Sequence, residues 1–234
     1  MESKHSRTNG NTKMIQIKNL YKNFTFENKR VSILSNINLT IKKNESVVIY
    51  GKSGSGKSTL LNILASILKP SSGELLVDKE NIASLSDIHA SAYRRNRLGF
   101  ITQSFHLFDE LTLYNNLLAP LVIQNLTKDQ IENAINNALK LANISHKKEY
   151  KVSTLSKGER QRCIIARAIV NNPDILICDE PTANLDSENS FIFIETLKQL
   201  KKEGKTLIIA THDPIFKTQK FVDRVLTLED TTLE

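Results

Sequence analysis

The sequence has 234 residues, 40% hydrophobic and 24% charged, with 8 glycines, 5 prolines and 2 cysteines, the composition of an ordinary globular chain of one or two domains that needs no disulfide or metal staple to hold a core. Cys163 and Cys178 sit among apolar neighbours and read as small buried hydrophobes of a reducing compartment. No stretch approaches the ~18 apolar residues of a membrane span, and the polar start Met1 to Arg7 has no apolar signal core behind it. The formal net charge of +7 suits a nucleic acid, a phosphate ligand or an anionic membrane face without choosing among them.

Residues 1–13 are polar and read as a mobile tail, with order expected from Met14. Ile15, Ile17 and Leu20 suggest a strand, and Ile37, Leu39 and Ile41 alternate with Asn38 and Thr40 as a half-buried strand does. Together they predict an N-terminal antiparallel patch. The apolar run 45–50 stops at Gly51 and is followed by a helical pattern from Leu60 to Leu68, ended by Pro70. After Ser71-Ser72-Gly73 come a short strand over 74–78 and another over 98–102. Between about 111 and 170 no strand-like run occurs. Thr127 and Gln130 form a capping box ahead of Ile131, Ala134, Ile135, Ala138, Leu139 and Ala142, which predicts an amphipathic helix in an inserted helical subdomain of about residues 104–170. Strands resume over 175–178 and 206–210, separated by a helix over 187–202 that Gly204 terminates. Alternating strands and helices imply an α/β chain with a parallel core sheet, so residues 14–234 read as a single cassette.

Gly51-Lys52-Ser53-Gly54-Ser55-Gly56-Lys57-Ser58 fits the phosphate-loop pattern, and it lies between a predicted buried strand and a predicted helix. Glycines let the backbone wrap phosphates with its N–H groups inward. Lys57 reaches the β and γ phosphates in such a loop, Ser58 offers a hydroxyl to Mg²⁺, and the helix that begins here adds its N-terminal dipole. The apolar strand Ile175 to Cys178 delivers Asp179 and Glu180. Asp179 suits the Mg²⁺ shell, and Glu180 stands where a general base polarises an attacking water.

Leu155-Ser156-Lys157-Gly158-Glu159-Arg160-Gln161-Arg162, lying ahead of the carboxylate strand, resembles the signature of the ATP-binding subunits of ABC transporters. By itself Ser156 with Glu159 would be an ordinary helix cap. Gln103 matches that family's Q-loop glutamine, Ala183-Asn184-Leu185-Asp186 its D-loop and His212 its switch histidine. Phe24 matches its adenine-stacking aromatic, with Tyr21 as the competing candidate. The likeness runs from about Met14 to Leu228. It implies a P-loop NTPase core with a mixed sheet, the antiparallel patch and the helical subdomain.

The resemblance also implies a nucleotide site, for ATP, of Phe24, Gly51, Ser53, Gly54, Ser55, Gly56, Lys57, Ser58 and Thr59. Mg²⁺ falls to Ser58, Gln103 and Asp179, and hydrolysis to Glu180, His212 and Gln103. Ser156, Lys157, Gly158 and Glu159 would serve in trans, with Asp186 at the crossing, in a homodimer closed by ATP. Lys157 departs from the commonest signature, which has glycine; it keeps the backbone N–H and adds a cation. The stretch from Arg94 to Leu121 looks like that of lipoprotein-releasing and macrolide-exporting ATPases. It implies separately encoded integral membrane subunits and a cytoplasmic, peripheral location on the inner face of the membrane. Arg94, Arg95 and Arg97 are either a solvated basic face or part of a docking surface. A soluble ABC ATPase of ribosomes or nucleic acid is the alternative; the single cassette, the 6% aromatic content and the absence of Trp oppose it. A small-molecule kinase would lack the signature.

Overall fold

The computed structural model describes residues 13–27, 29–104, 106–183 and 185–234; the expected tail, apart from Lys13, lies outside them. Two sheets share the structure. β1 (Lys13–Phe26), β2 (Lys29–Lys42), β4 (Ser72–Val77) and β5 (Glu80–Asn81) form an antiparallel sheet in the order β2-β1-β4-β5. β3 (Ser46–Tyr50), β6 (Leu98–Ile101), β7 (Ile175–Asp179), β8 (Thr206–Thr211), β9 (Arg224–Glu229) and β10 (Thr232–Leu233) form the second, in the order β10-β9-β3-β8-β7-β6. All its neighbours run parallel except β10 against β9.

β1 begins at Lys13, one residue earlier than expected, and shows how an imperfect pattern is repaired. Strict alternation puts Leu20 on the face opposite Ile15 and Ile17. Asn19 takes a left-handed φ of 45°, the register slips between Ile17 and Leu20, and Leu20 returns to the core beside both. Asn38 Oδ1 accepts from the displaced Asn19 N–H at 2.9 Å, so the bulge leaves no orphan donor.

In β3, β7 and β8 alternate residues enter different cores. Val47, Ile49, Ile175, Ile177 and Ile208 pack toward the antiparallel sheet and α1 (Lys57–Leu64). Val48, Leu176, Cys178, Leu207 and Ile209 pack toward α3 (Leu113–Leu118), α4 (Lys128–Leu141), α5 (Lys157–Ile169) and α6 (Ser187–Lys202). A strand buried on both faces reads as a continuous apolar run, and β7 is buried throughout. The α4 capping box forms as expected, Thr127 Oγ1 accepting from Gln130 N and Gln130 Oε1 from Thr127 N.

Three expectations are corrected. α1 stops at Leu64, short of Pro70, because Ser66 turns left-handed at φ 52°. The end is held from outside: Tyr93 Oη donates to Leu64 O and Arg94 Nη1 to Ser66 O, at 3.2 and 2.7 Å. Those residues belong to α2 (Asp87–Arg97), an element the pattern did not announce, since only Ala90 and Tyr93 of its eleven residues are buried. Arg97 pairs with Asp78 and Asp174, so Arg94 and Arg97 tie elements together and are not a merely solvated face. Finally, β9 and β10 extend the sheet beyond β3 where no strand was expected.

Candidate functional site

The phosphate-loop segment leaves the end of β3 at Gly51 and re-enters regular structure at Lys57. Gly54 and Gly56 hold φ of 81° and 99°, a region costly for any residue with a Cβ. Gly56 caps α1 without a side chain, and the first turn carries no acid. The leading N–H groups of the helix therefore keep their capacity for an anion.

Lys57 is only 5% exposed. Its ammonium donates to Gly51 O at 2.7 Å and Lys52 O at 3.0 Å, and stands 3.2 Å from Glu180 Oε1. Glu180 follows the last residue of β7 and turns back at φ 46°, its N–H still bonded to Ala210 O. A left-handed glutamate costs about 1–3 kcal/mol and persists only where its surroundings hold it. Here Oε2 accepts from His212 Nδ1 at 2.9 Å, Thr211 Oγ1 at 3.2 Å and His212 N at 3.3 Å. Burial pulls the Glu180 pKa upward, but the bonds from His212 and Lys57 outweigh it and hold the carboxyl below the usual range. Asp179 behaves oppositely. Burial raises its pKa against a hydrogen bond with Ser58, with the charge of Glu180 adding to the rise. Its Oδ1 is buried with no hydrogen-bond partner.

Lys57, Glu180 and His212 line a cavity of about 370 Å³ with Phe24, Ser53, Gly54, Gly56, Ser58, Thr59 and Gln103, and Asp179 is not among its lining residues but borders it through Ser58. Gly51 lies behind it as the acceptor for Lys57, and the Ser55 hydroxyl is buried in the loop without a partner. Tyr21 is not among the lining residues, and Phe24 is. Sequence reasoning missed Phe26 and Ile33, which complete an apolar wall. Phe26 lies two residues from Phe24 on the same strand, the rings 6.2 Å apart, so period-two alternation could have found it. Ile33 left no local signal.

The signature residues and Asp186 lie outside that cavity. Ser156 caps α5 in a capping box with Glu159, Ser156 N donating to Glu159 Oε2 at 2.8 Å and Glu159 N to Ser156 Oγ at 3.3 Å. Hydrogen bonds from Ser156 and Lys147 hold Glu159 below the usual glutamate range. Ser156 and Lys157 are exposed. Asp186 caps α6 by accepting from Asn189 N at 2.8 Å. The Asn189 amide joins the two helix starts: its nitrogen donates to Asp186, its oxygen accepts from Arg162, and Gly158 lies against it.

A parallel sheet with a glycine-rich loop, a buried lysine and paired strand-end carboxylates defines the class of phosphate-loop nucleotide hydrolases. The family profile described as ABC transporter matches residues 34–183. The lipoprotein-releasing system ATP-binding protein LolD of Francisella tularensis is 39% identical over 226 residues, 96% of this chain and 97% of its own. Macrolide export ATP-binding/permease protein MacB 1 of Yersinia pestis is 37% identical over 217 residues, 93% of this chain and 33% of its own. The dimeric structure of the ABC transporter cassette MJ0796 of Methanocaldococcus jannaschii superposes with a TM-score of 0.87 at 36% identity, covering 94% of this chain and 97% of that one. A second MJ0796 structure, a post-hydrolysis state with ADP and Pi, gives 0.87 at 35% identity and the same coverage.

The chain belongs to the ABC transporter family, as an ATP-binding and ATP-hydrolysing subunit. Among the described residues no helix is long and apolar enough to cross a membrane.

Proposed function

We propose that the chain powers a transporter of the lipoprotein-releasing or macrolide-exporting type, binding Mg²⁺·ATP in the β3–α1 cavity and closing as a homodimer around it. The observation that carries the site assignment is the meeting of Lys57 and Glu180, 123 positions apart in sequence, at 3.2 Å beneath the phosphate loop. Relatives named as lipoprotein-releasing and macrolide-export ATP-binding proteins support the transporter type.

The triphosphate lies along residues 53–59, and the base packs on Phe24, with Phe26 and Ile33 closing the wall. Asp179, Ser58 and Gln103 suit Mg²⁺. A buried carboxylate oxygen without a partner beside a hydroxyl is a hard-oxygen donor set for such an ion. When bound it neutralises phosphate charge. An incoming γ-phosphate oxygen competes with Glu180 for the Lys57 ammonium, which frees the carboxylate to take a proton from water. Losing the Lys57 contact removes part of what holds its pKa down and so makes it the stronger base, while the His212 hydrogen bond still favours the ionised form. His212 stays within reach of both the carboxylate and the phosphate. Ser156, Lys157, Gly158 and Glu159, with Asp186 beside them, face the nucleotide of a second copy. The partners are integral membrane subunits on separate chains, and the ATPase sits peripherally on the inner face of the membrane.

The test is to purify Glu180→Gln from detergent-solubilised membranes with ATP and Mg²⁺ and to identify what accompanies it by mass spectrometry. A membrane protein with few spans and a large extracytoplasmic domain is expected. A many-span permease would contradict the transporter type, and ribosomal proteins or nucleic acid without a membrane partner would overturn the transport reading.

A further inference from the structure

Glu180 carries a strained backbone and an ion pair, and both His212 contacts reach it from the residue that follows β8. The β7–β8 ladder runs as far as the bond from Glu180 N to Ala210 O, and the segments beyond it need a tie of their own. Asp213 supplies it. Its Oδ2 accepts from Thr182 Oγ1 at 2.8 Å, and its own N–H donates to Thr211 Oγ1 at 3.0 Å. Thr211 Oγ1 donates onward to Glu180 Oε2. With the backbone through Pro181 these bonds close a ring: Glu180, Thr211, Asp213, Thr182 and back to Glu180. Thr182 is 5% exposed and Thr211 fully buried, so water competes little for either hydroxyl, and an unpaired partner there carries a desolvation cost.

Each bond of the ring agrees with the chemistry of the groups that make it. The Thr211 hydroxyl spends its one proton on Glu180 and a lone pair on the Asp213 N–H. The Thr182 hydroxyl spends its proton on Asp213. The remaining Asp213 oxygen, Oδ1, accepts from Ile215 N at 2.9 Å and starts the short 3₁₀ turn over Pro214–Thr218. Asp213 thus fixes the backbone on both sides of itself. It also pins the segment that carries His212 to the turn two residues beyond Glu180.

We infer that Asp213, through Thr182 and Thr211, is a positioning residue for hydrolysis, setting the Glu180 carboxylate and the His212 ring against one another without touching the nucleotide. This rests on the reading of Glu180 as the general base. A carboxylate misplaced by ~1 Å can cost of the order of 10²-fold in rate while leaving nucleotide binding alone. A residue that acts by position therefore separates kcat from KM.

The experiment is steady-state ATP hydrolysis by the full chain with Mg²⁺, together with thermal unfolding. Thr182→Val removes the hydroxyl at nearly constant shape and leaves the Ile215 bond of Asp213 intact. The expected result is a kcat about 10- to 100-fold lower, with KM for ATP within about two-fold of the parental value, and rescue of kcat by Thr182→Ser. Should Thr182→Val not fold, Asp213→Ser supplies the same reading, since serine still caps the 214–218 turn and is too short to reach Thr182. Its expected result is likewise a lowered kcat at constant KM. Parental kcat in the variant tested, or an equal loss in Thr182→Ser and Thr182→Val, overturns the inference while Glu180→Gln remains inactive. Hydrolysis by Glu180→Gln at the parental rate instead overturns the reading of Glu180, and the inference with it.

Discussion

Two glycines of the phosphate loop, two residues apart, should respond differently to the same change. Gly54 and Gly56 both have positive φ, 81° and 99°, and an alanine pays about 1–2 kcal/mol to adopt such a conformation. The smaller entropy of the unfolded alanine chain offsets about 0.4–1 kcal/mol of that. For Gly54 nothing else enters, because a Cβ would meet no atom within 4 Å. A Cβ at Gly56 would stand 3.0 Å from the Ile33 carbonyl oxygen and 3.1 Å from Leu34 Cδ2. The first is backbone within β2 and cannot swing aside, so overpacking adds about 1–3 kcal/mol. The net losses are about 1 kcal/mol for Gly54→Ala and about 2–4 kcal/mol for Gly56→Ala. In a chain of this size these lower Tm by about 3 °C and about 6–12 °C. Thermal unfolding without nucleotide reads both. Equal losses, or a Gly56→Ala Tm within about 2 °C of the parental value, would refute the reasoning.

Phe24→Ala should raise KM for ATP about 5- to 150-fold at unchanged kcat, the range of about 1–3 kcal/mol for one base stacked on an aromatic, whereas Tyr21→Ala should leave KM alone; the reverse pattern in steady-state kinetics would exchange their roles. The folded pKa of Glu159 is lowered, so its contribution to stability is present above the unfolded value near 4.5 and lost as pH falls through the folded one. The urea midpoint of the parental chain should therefore exceed that of Glu159→Gln at pH 6 and converge with it toward pH 3. Cys163 is buried with its thiol pushed up to about 12, and burial raises Cys178 further. Maleimide at pH 8 should label neither until the chain unfolds, and rapid labelling of native protein would contradict the packing.

Signals held within one or two turns of chain were legible in the sequence. The capping boxes at Thr127 and Ser156 need only residues three apart, and α6 spans the residues expected from its pattern and from Gly204. The loop from Gly51 to Ser58 declares itself because its chemistry requires contiguous glycines, lysine and serine. Features that depend on distant partners were not legible. α1 ends where Tyr93 reaches its last carbonyl, with Arg94 on Ser66 O just beyond, and nothing near Leu64 announces them. α2 buries too little apolar surface to show a stripe. β9 has a continuous partner only once β3 is placed beside it. At the cavity, Ile33 and the Thr211 contact to Glu180 come from elements remote in sequence. The Lys57–Glu180 pair joins two motifs that could each be read alone, while their separation could not.

The central claim is that Lys57, Glu180 and His212 form a hydrolytic site that closes between two copies of the chain around ATP. The most direct measurement is the solution mass of Glu180→Gln by size exclusion with light scattering, with and without Mg²⁺·ATP, beside a hydrolysis assay. The account predicts twice the chain mass of 26.4 kDa with Mg²⁺·ATP, and no turnover. A mass of 26.4 kDa with ATP demonstrably bound, or hydrolysis at the parental rate, would contradict it.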